Sequence, residues 1–308
     1  MSKYPQVLLL GNGINISNGC ETWAQFLESI KDDGFDMKLE NLKSPMPLQA
    51  ILVSGNKLDV KLKEKSKELL PVGDLIDENV AVKDILSLDF DEILTTNYTY
   101  ELEQAANGNK PLSMNKLKKM NKHASGTKAD MKYTINSYNE VTVGCGRMRI
   151  WHIHGEARKP GSMVLGHYYY GRVVKKVIDF VTDRHDSYSS DQKNGKDFVA
   201  ISWIDSFIMG DVYILGFGFD FSELDLWWLL NRKYNEKANH GNVYFYEPEK
   251  ESQIEKVKLL NLLGVKVEFL GFKDEEKADK EIADYVGFYK KALSDIKEKI
   301  EKNKRAEE

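Results

Sequence analysis

Apolar residues in this chain gather in brief runs bounded by polar residues or glycine. Gln6–Leu10, Glu92–Thr95, Arg149–Ile153, Asp211–Gly216, Asn242–Tyr246 and Val265–Phe269 are each nearly continuous and too short for a helix. They predict strands buried on both faces, as in a parallel sheet. Between them the apolar spacing lengthens to that of a helix. Trp23, Phe26, Leu27 and Ile30 share one face of Trp23–Ile30, and Thr22 with Gln25 three residues on forms a capping box. Tyr168–Val181, Phe198–Ile208, Leu224–Tyr234 and Ile254–Leu263 repeat that spacing. Strand alternating with helix predicts an α/β fold built on a doubly wound parallel sheet.

Three stretches depart from the alternation. Residues 31–85 mix Lys, Asp and Glu with short apolar groups and are expected to form a helical insertion or cap. Residues 107–147 are polar, with seven lysines between Lys110 and Lys132 against the single acid Asp130. A solvated variable insertion is expected there, with a basic phosphate-binding arm as the other reading. Beyond Lys273 the chain reads as a charged helical extension, 273–308. Its apolar residues Ile282, Tyr285, Val286, Tyr289, Leu293 and Ile296 recur at helical spacing and are expected to pack on the body or on a partner subunit, in a homo-oligomer.

Composition narrows the function classes. Among 308 residues, 44 basic side chains stand against 48 acidic ones, a net charge of −4. That balance gives no reason to expect direct nucleic-acid binding or an anionic membrane as the main partner. Cys20 and Cys145, the two cysteines, cannot make a disulfide framework or a four-thiolate zinc site. They fit a reducing cytoplasm, the expected location. Val7–Leu10 is too short for a signal-peptide core, and no window reaches the roughly 18 apolar residues of a membrane span.

Chemistry-bearing residues cluster where strands end. Gly11-Asn12-Gly13 follows the first strand, where backbone amides at a helix N-terminus can meet a phosphate; an ordinary tight turn is the competing reading. The pattern is neither G-x-G-x-x-G nor a Walker motif. Thr95-Thr96-Asn97-Tyr98 ends the second strand, where site residues belong in this class. Asn97 equally suits a helix cap for Thr99–Ala106. Trp151-His152-Ile153-His154-Gly155 ends the third strand; strict alternation would direct both histidines to one face. A base or hydrogen-bonding role competes there with a structural histidine, and no third ligand with suitable spacing supports a metal. Gly216-Phe217-Gly218 makes a second glycine turn, followed by a helix opening at Ser222 with Asp225 in its first turn, as helix-dipole complement or ligand contact.

In this order and at these strand ends, the four stretches resemble the sirtuin-like NAD-binding fold. Gly11–Gly19 is similar to its first glycine motif, with Asn12 for an alanine and Asn15 and Asn18 for serines. Thr95-Thr96-Asn97, His154-Gly155 and Gly216-Phe217-Gly218 are similar to the others. Departures include the missing zinc-binding cysteine pairs, Thr99 in place of an Asp, and Trp23 in place of a Phe. The zinc-free body resembles the bacterial sirtuin-like NAD hydrolases of anti-phage defence, and the wording Gly-Asn-Gly and His-Ile-His-Gly resembles AbiH-type abortive-infection proteins.

The resemblance implies a Rossmann-like doubly wound parallel sheet with helical insertions, spanning 1–272 as an NAD-binding domain. It implies an NAD glycohydrolase releasing nicotinamide and ADP-ribose, with NAD as substrate, no metal, and an operon-encoded defence partner. Asn97 would hold ribose hydroxyls or the attacking water, and His154, as neutral imidazole, would accept a proton. The turn Gly11-Asn12-Gly13 and neighbouring amides would hold the pyrophosphate, Asn15 and Thr96 would be further cofactor contacts, and Asp225 with the Gly216–Gly218 turn would line the adenosine end. Two other expectations stand beside it: a non-catalytic NAD or ADP-ribose sensor within a defence complex, and a zinc-free deacylase or ADP-ribosyl transferase.

Overall fold

The computed structural model describes residues 4–16, 20–69, 80–124, 135–144, 146–189, 200–236, 240–248, 254–270 and 281–305. Ser17, Asn18, Gly19, Cys145, Lys128, Lys132 and Phe198 lie outside the described residues. Among the described residues, eight strands form one sheet: β1 Gln6–Leu10, β2 Glu92–Thr95, β3 Asn121–His123, β4 Ser137–Val143, β5 Gly146–His152, β6 Asp211–Leu215, β7 Val243–Glu247 and β8 Lys266–Phe269. Their order is β3-β4-β5-β2-β1-β6-β7-β8. From β5 to β8 every neighbouring pair is parallel. Taken in chain order, those six strands have the doubly wound Rossmann arrangement 3-2-1-4-5-6, whose order reverses between β1 and β6.

The sheet is covered on both faces, which is why β1 reads as an unbroken apolar run. Val7 and Leu9 face a layer holding Val173 and Val177, Phe207 and Ile208, and Leu226 and Leu229. These come from the helices His167–Asp183, Trp203–Met209 and Leu224–Asn235. Leu8 and Leu10 face the opposite layer, with Ile85, Leu102, Phe288, Leu293 and Ile296. The last three belong to the helix Glu281–Arg305, which packs on this chain's own body. The helix Trp23–Ser29 begins as expected: the Gln25 amide donates to Thr22 Oγ1, and the Thr22 amide donates to Gln25 Oε1 at 2.8 Å.

The lysine-rich stretch is a correction. It was expected as a solvated insertion, yet the described residues of 107–147 include the helix Met114–Met120 and the strands β3 and β4, with β3 antiparallel to β4 and β4 antiparallel to β5. Half-buried alternation in β4, with Ser137, Asn139 and Val141 buried, lets it sit beside the buried parallel strands. Within the expected 31–85 insertion, the described residues up to 69 form a cap of short helices that pack with the Trp23–Ser29 helix, while Ala81, Val82 and Ile85 join the layer under the sheet. Phe26, Leu27, Ile30, Ala50, Val53 and Leu62 pack with Met163 and Leu165, and with Tyr98 at their margin. Tyr98 follows β2 and Met163 follows β5, so the cap covers the carboxyl ends of those strands.

Candidate functional site

At the reversal point, the two glycine turns are bonded to one another. The Gly11 amide donates to the Leu215 carbonyl (3.0 Å) and the Gly13 amide to the Gly216 carbonyl (2.8 Å). The Asn15 and Ile16 amides donate to the Asn12 carbonyl. These four amides are therefore committed within the protein, so of the turn expected to hold a pyrophosphate the Gly11 and Gly13 amides are already spent. Glycine is required for closeness instead. A Cβ at Gly11 would lie 2.5 Å from the Gly216 oxygen, and one at Gly13 would lie 2.7 Å from the Tyr289 hydroxyl.

Beside the turns is a cavity of about 350 Å3 lined by Gly13, Gly216, Gly218, Glu247, Tyr285 and Tyr289, among others. Of the glycines expected to meet a ligand, Gly13, Gly216 and Gly218 line it, whereas Gly11 is packed beneath. Asn12 is held by the Glu21 carbonyl and by Asn15. Thr96 donates its amide to the Leu10 carbonyl. The aromatic wall from the C-terminal helix was not foreseen, although the Tyr285 and Tyr289 spacing in the sequence already showed one apolar face.

Asn97, directly after β2, is not a helix cap. The following helix is Glu101–Ala106, and its N-cap, Tyr100, makes no side-chain cap bond. Asn97 donates its amide to Thr95 Oγ1 and accepts His152 Nδ1 on its carbonyl at 2.8 Å. Its side-chain oxygen is buried with no hydrogen-bond partner among the described residues, as are Oδ1 of Asn15 and Oδ1 of Asp225. Such orphaned acceptors are uncommon in folded proteins and are natural places for a ligand hydroxyl or water.

The two histidines part company because β5 ends at His152. His154 lies in the turn beyond it, where strand alternation no longer holds, and Gly155 follows with φ +91°. His152 Nε2 bonds Glu103 Oε1 (2.9 Å), and Glu103 also accepts Asn139. His154 Nε2 bonds Asp225 Oδ2 at 3.0 Å, with Glu223 Oε2 3.8 Å away. Asp225 thus sits against the catalytic candidate rather than lining the cavity. Tyr170 donates to Glu223 Oε2 (3.1 Å) and sets its ring edge-on to His154.

Electrostatics revise the protonation expected for His154. Burial opposes its charge, but Asp225 and Glu223 outweigh that and raise it to about 9. The two carboxylates thus favour the imidazolium over the neutral ring expected from the sequence. His152 is raised to about 9 as well, where burial is outweighed by Glu103, Glu156 and the Asn97 carbonyl. Burial pushes Glu223 up to about 7 against the opposing pull of His154. His154, Glu223 and Asp225 bring one ligand-capable atom each within 4.8 Å of one another, a grouping that sequence spacing did not reveal. Because Asp225 already engages His154 Nε2, the geometry is that of an ion-paired cluster. Glu223 was missed in the sequence, though it stands two residues before Asp225.

A family model described as a SIR2-like domain matches residues 91–267. The match takes in Asn97, His154, Glu223 and Asp225 but not the Gly11–Gly13 turn. No curated protein matches the chain. The chain belongs to the SIR2-like family, whose domains are often NAD-dependent enzymes. No helix among the described residues is long and apolar enough to cross a membrane.

Proposed function

We propose that this SIR2-like protein is an NAD glycohydrolase, splitting NAD into nicotinamide and ADP-ribose. One observation carries the reading. A buried His154–Asp225 pair with Glu223 stands at the carboxyl edge of a doubly wound sheet, where this fold class places its ligands. Cleaving the nicotinamide–ribose bond builds positive charge on the ribose, and a cluster of two carboxylates around one imidazolium suits it. Asn97, with its orphaned oxygen, would accept a hydroxyl of that ribose or position the attacking water. The cavity at Gly13, Gly216 and Gly218 would take the adenosine end. At about 350 Å3 it is near the lower limit of ligand pockets and suits one nucleoside rather than a whole dinucleotide.

Anti-phage abortive infection, a homo-oligomer, an operon-encoded partner and a cytoplasmic location complete the proposal and rest on the resemblance alone. NAD is the substrate, and the proposed chemistry routes no step through a metal. Chromatography of NAD incubated with the purified chain, alone and with its genomic neighbour, is expected to show nicotinamide and ADP-ribose in equal amounts. A requirement for an acyl-lysine peptide would point to the deacylase instead.

A second reading has an observation of its own. The committed turn amides and the Tyr289 hydroxyl beside Gly13 favour a closed binding site, as in a sensor of NAD or ADP-ribose. Calorimetric binding of NAD with no nicotinamide released, partner present, would establish that reading and remove the hydrolase.

A further inference from the structure

His154 cannot be the whole of the proton chemistry if its ring is already an imidazolium bonded to Asp225. Hydrolysis of NAD liberates one proton: the water oxygen bonds the ribose C1′, and the C1′–N bond breaks with its electron pair going to the pyridinium nitrogen. Nicotinamide leaves neutral and needs no acid, so the water's proton needs an acceptor. Three groups border the ring. Asp225 is fully buried, with Oδ2 on His154 and Oδ1 unpartnered among the described residues but closed off from solvent, so no attacking water reaches it from outside. Tyr170 spends its hydroxyl hydrogen on Glu223. Glu223 uses only Oε2, toward Tyr170 and His154, and 11% of its side chain remains exposed.

We propose that Glu223 is the catalytic base of this site, taking the proton of the attacking water while the His154–Asp225 pair stays intact. This rests on the glycohydrolase reading above. The groups facing Glu223 are His154 from the turn after β5, Tyr170 from the His167–Asp183 helix, Asp220 and Asp225 from its own segment, and Tyr98 from the end of β2. With Glu223 ionised, two carboxylates surround one imidazolium and the cluster carries a net negative charge where the ribose cation develops. With Glu223 protonated that excess vanishes. The Tyr170 hydroxyl favours the ionised form by donating to it.

The test follows nicotinamide release by the full chain from pH 5 to 10, with Glu223→Gln and Tyr170→Phe beside the wild type. The wild-type kcat is expected to rise along an acid limb near pH 7, where Glu223 ionises. Glu223→Gln should lower kcat by about 10²–10⁴-fold, as for loss of a general base, erase that limb, and leave KM within about twofold. Tyr170→Phe should move the limb to higher pH. A Glu223→Gln protein that keeps wild-type kcat and limb overturns the assignment. If the wild type binds NAD but releases no nicotinamide at any pH, the hydrolase reading falls. The proton site is then decided by the ¹⁵N resonances of the His154 ring. An inflection near pH 7 that disappears in Glu223→Gln supports Glu223, and its absence from the wild type overturns it.

Discussion

His152 and His154 stand two residues apart, both buried, both paired with a carboxylate and both raised to about 9, yet their surroundings are opposite in kind. His152 is the last residue of β5. Both its nitrogens are spent, on the Asn97 carbonyl and on Glu103, and Glu103 is further tied to Asn139 across to β4. That network joins β2, β5 and the antiparallel extension. His154 leans instead toward two carboxylates of the segment after β6, with an unpartnered Asp225 oxygen beside it. A perturbed histidine is thus no sign of chemistry by itself. Spare hydrogen-bonding capacity does not divide them either, since Glu103 Oε2 beside His152 is, like Asp225 Oδ1, buried without a partner among the described residues. What differs is that His154 lies beyond the strand end against two carboxylates, where this fold class places its ligands.

Exchanging the two residues is the sharpest way to break this contrast. His154→Gln is expected to lower NAD turnover by about 10²–10³-fold, as for loss of a positioned charge, and to lose stability too, because Asp225 is fully buried and loses its partner. His152→Gln should keep per-molecule turnover within a few-fold and lose stability alone, as read by denaturant titration. Leaving Glu103 as an uncompensated buried carboxylate costs about 3–5 kcal/mol. Similar turnover losses in both variants would erase the distinction.

A smaller effect is expected where the chain is released from His154. Gly155 has φ +91°, and a Cβ there would lie 2.1 Å from the Ser162 carbonyl oxygen. Gly155→Ala should therefore destabilise by on the order of 3 kcal/mol. Gly218 meets nothing within 4 Å and has no positive φ, so Gly218→Ala should melt within about 0.5 kcal/mol of the wild type.

The last effect is in pH dependence, and it tests what the histidines share. Each has a folded pKa of about 9, above the roughly 6.5 of an unfolded histidine. Their contribution is complete below pH 6.5 and is lost as pH rises through 9. Glu223, raised to about 7, acts in the same direction at lower pH. Urea titrations between pH 6 and 9.5 should show stability falling with pH, and the fall should be shallower in either histidine variant.

Much of the scaffold was legible because it rests on local rules. A strand buried on both faces is apolar at most positions, so β1, β2, β6 and β7 announced themselves within one or two residues. β8, though exposed or half-buried, stood out by its short apolar run at Val265–Phe269. The Thr22–Gln25 capping box closes within a single turn of helix and was readable for the same reason. β3 and β4 were not legible. A polar strand at a sheet's edge buries only alternate residues, and its lysines dominate the composition. In the candidate site, the strand-end rule singled out Asn97 and His154, Glu223 was passed over for Asp225, and the bonds that hold the Gly11 and Gly13 amides were not foreseen.

The chain's own order of residues settled which strands form, how the helix after the first glycine turn starts, and which side chains stand at strand ends, since each depends on neighbours within a few positions. Only the tertiary structure decided that His154 would meet a carboxylate 71 residues away and that the cap would lie over Tyr98 and Met163. It likewise decided that the C-terminal helix would line the cavity beside the glycine turns. These pairings arise when the sheet brings distant strand ends to one edge, and no local periodicity records which distant residue will be there.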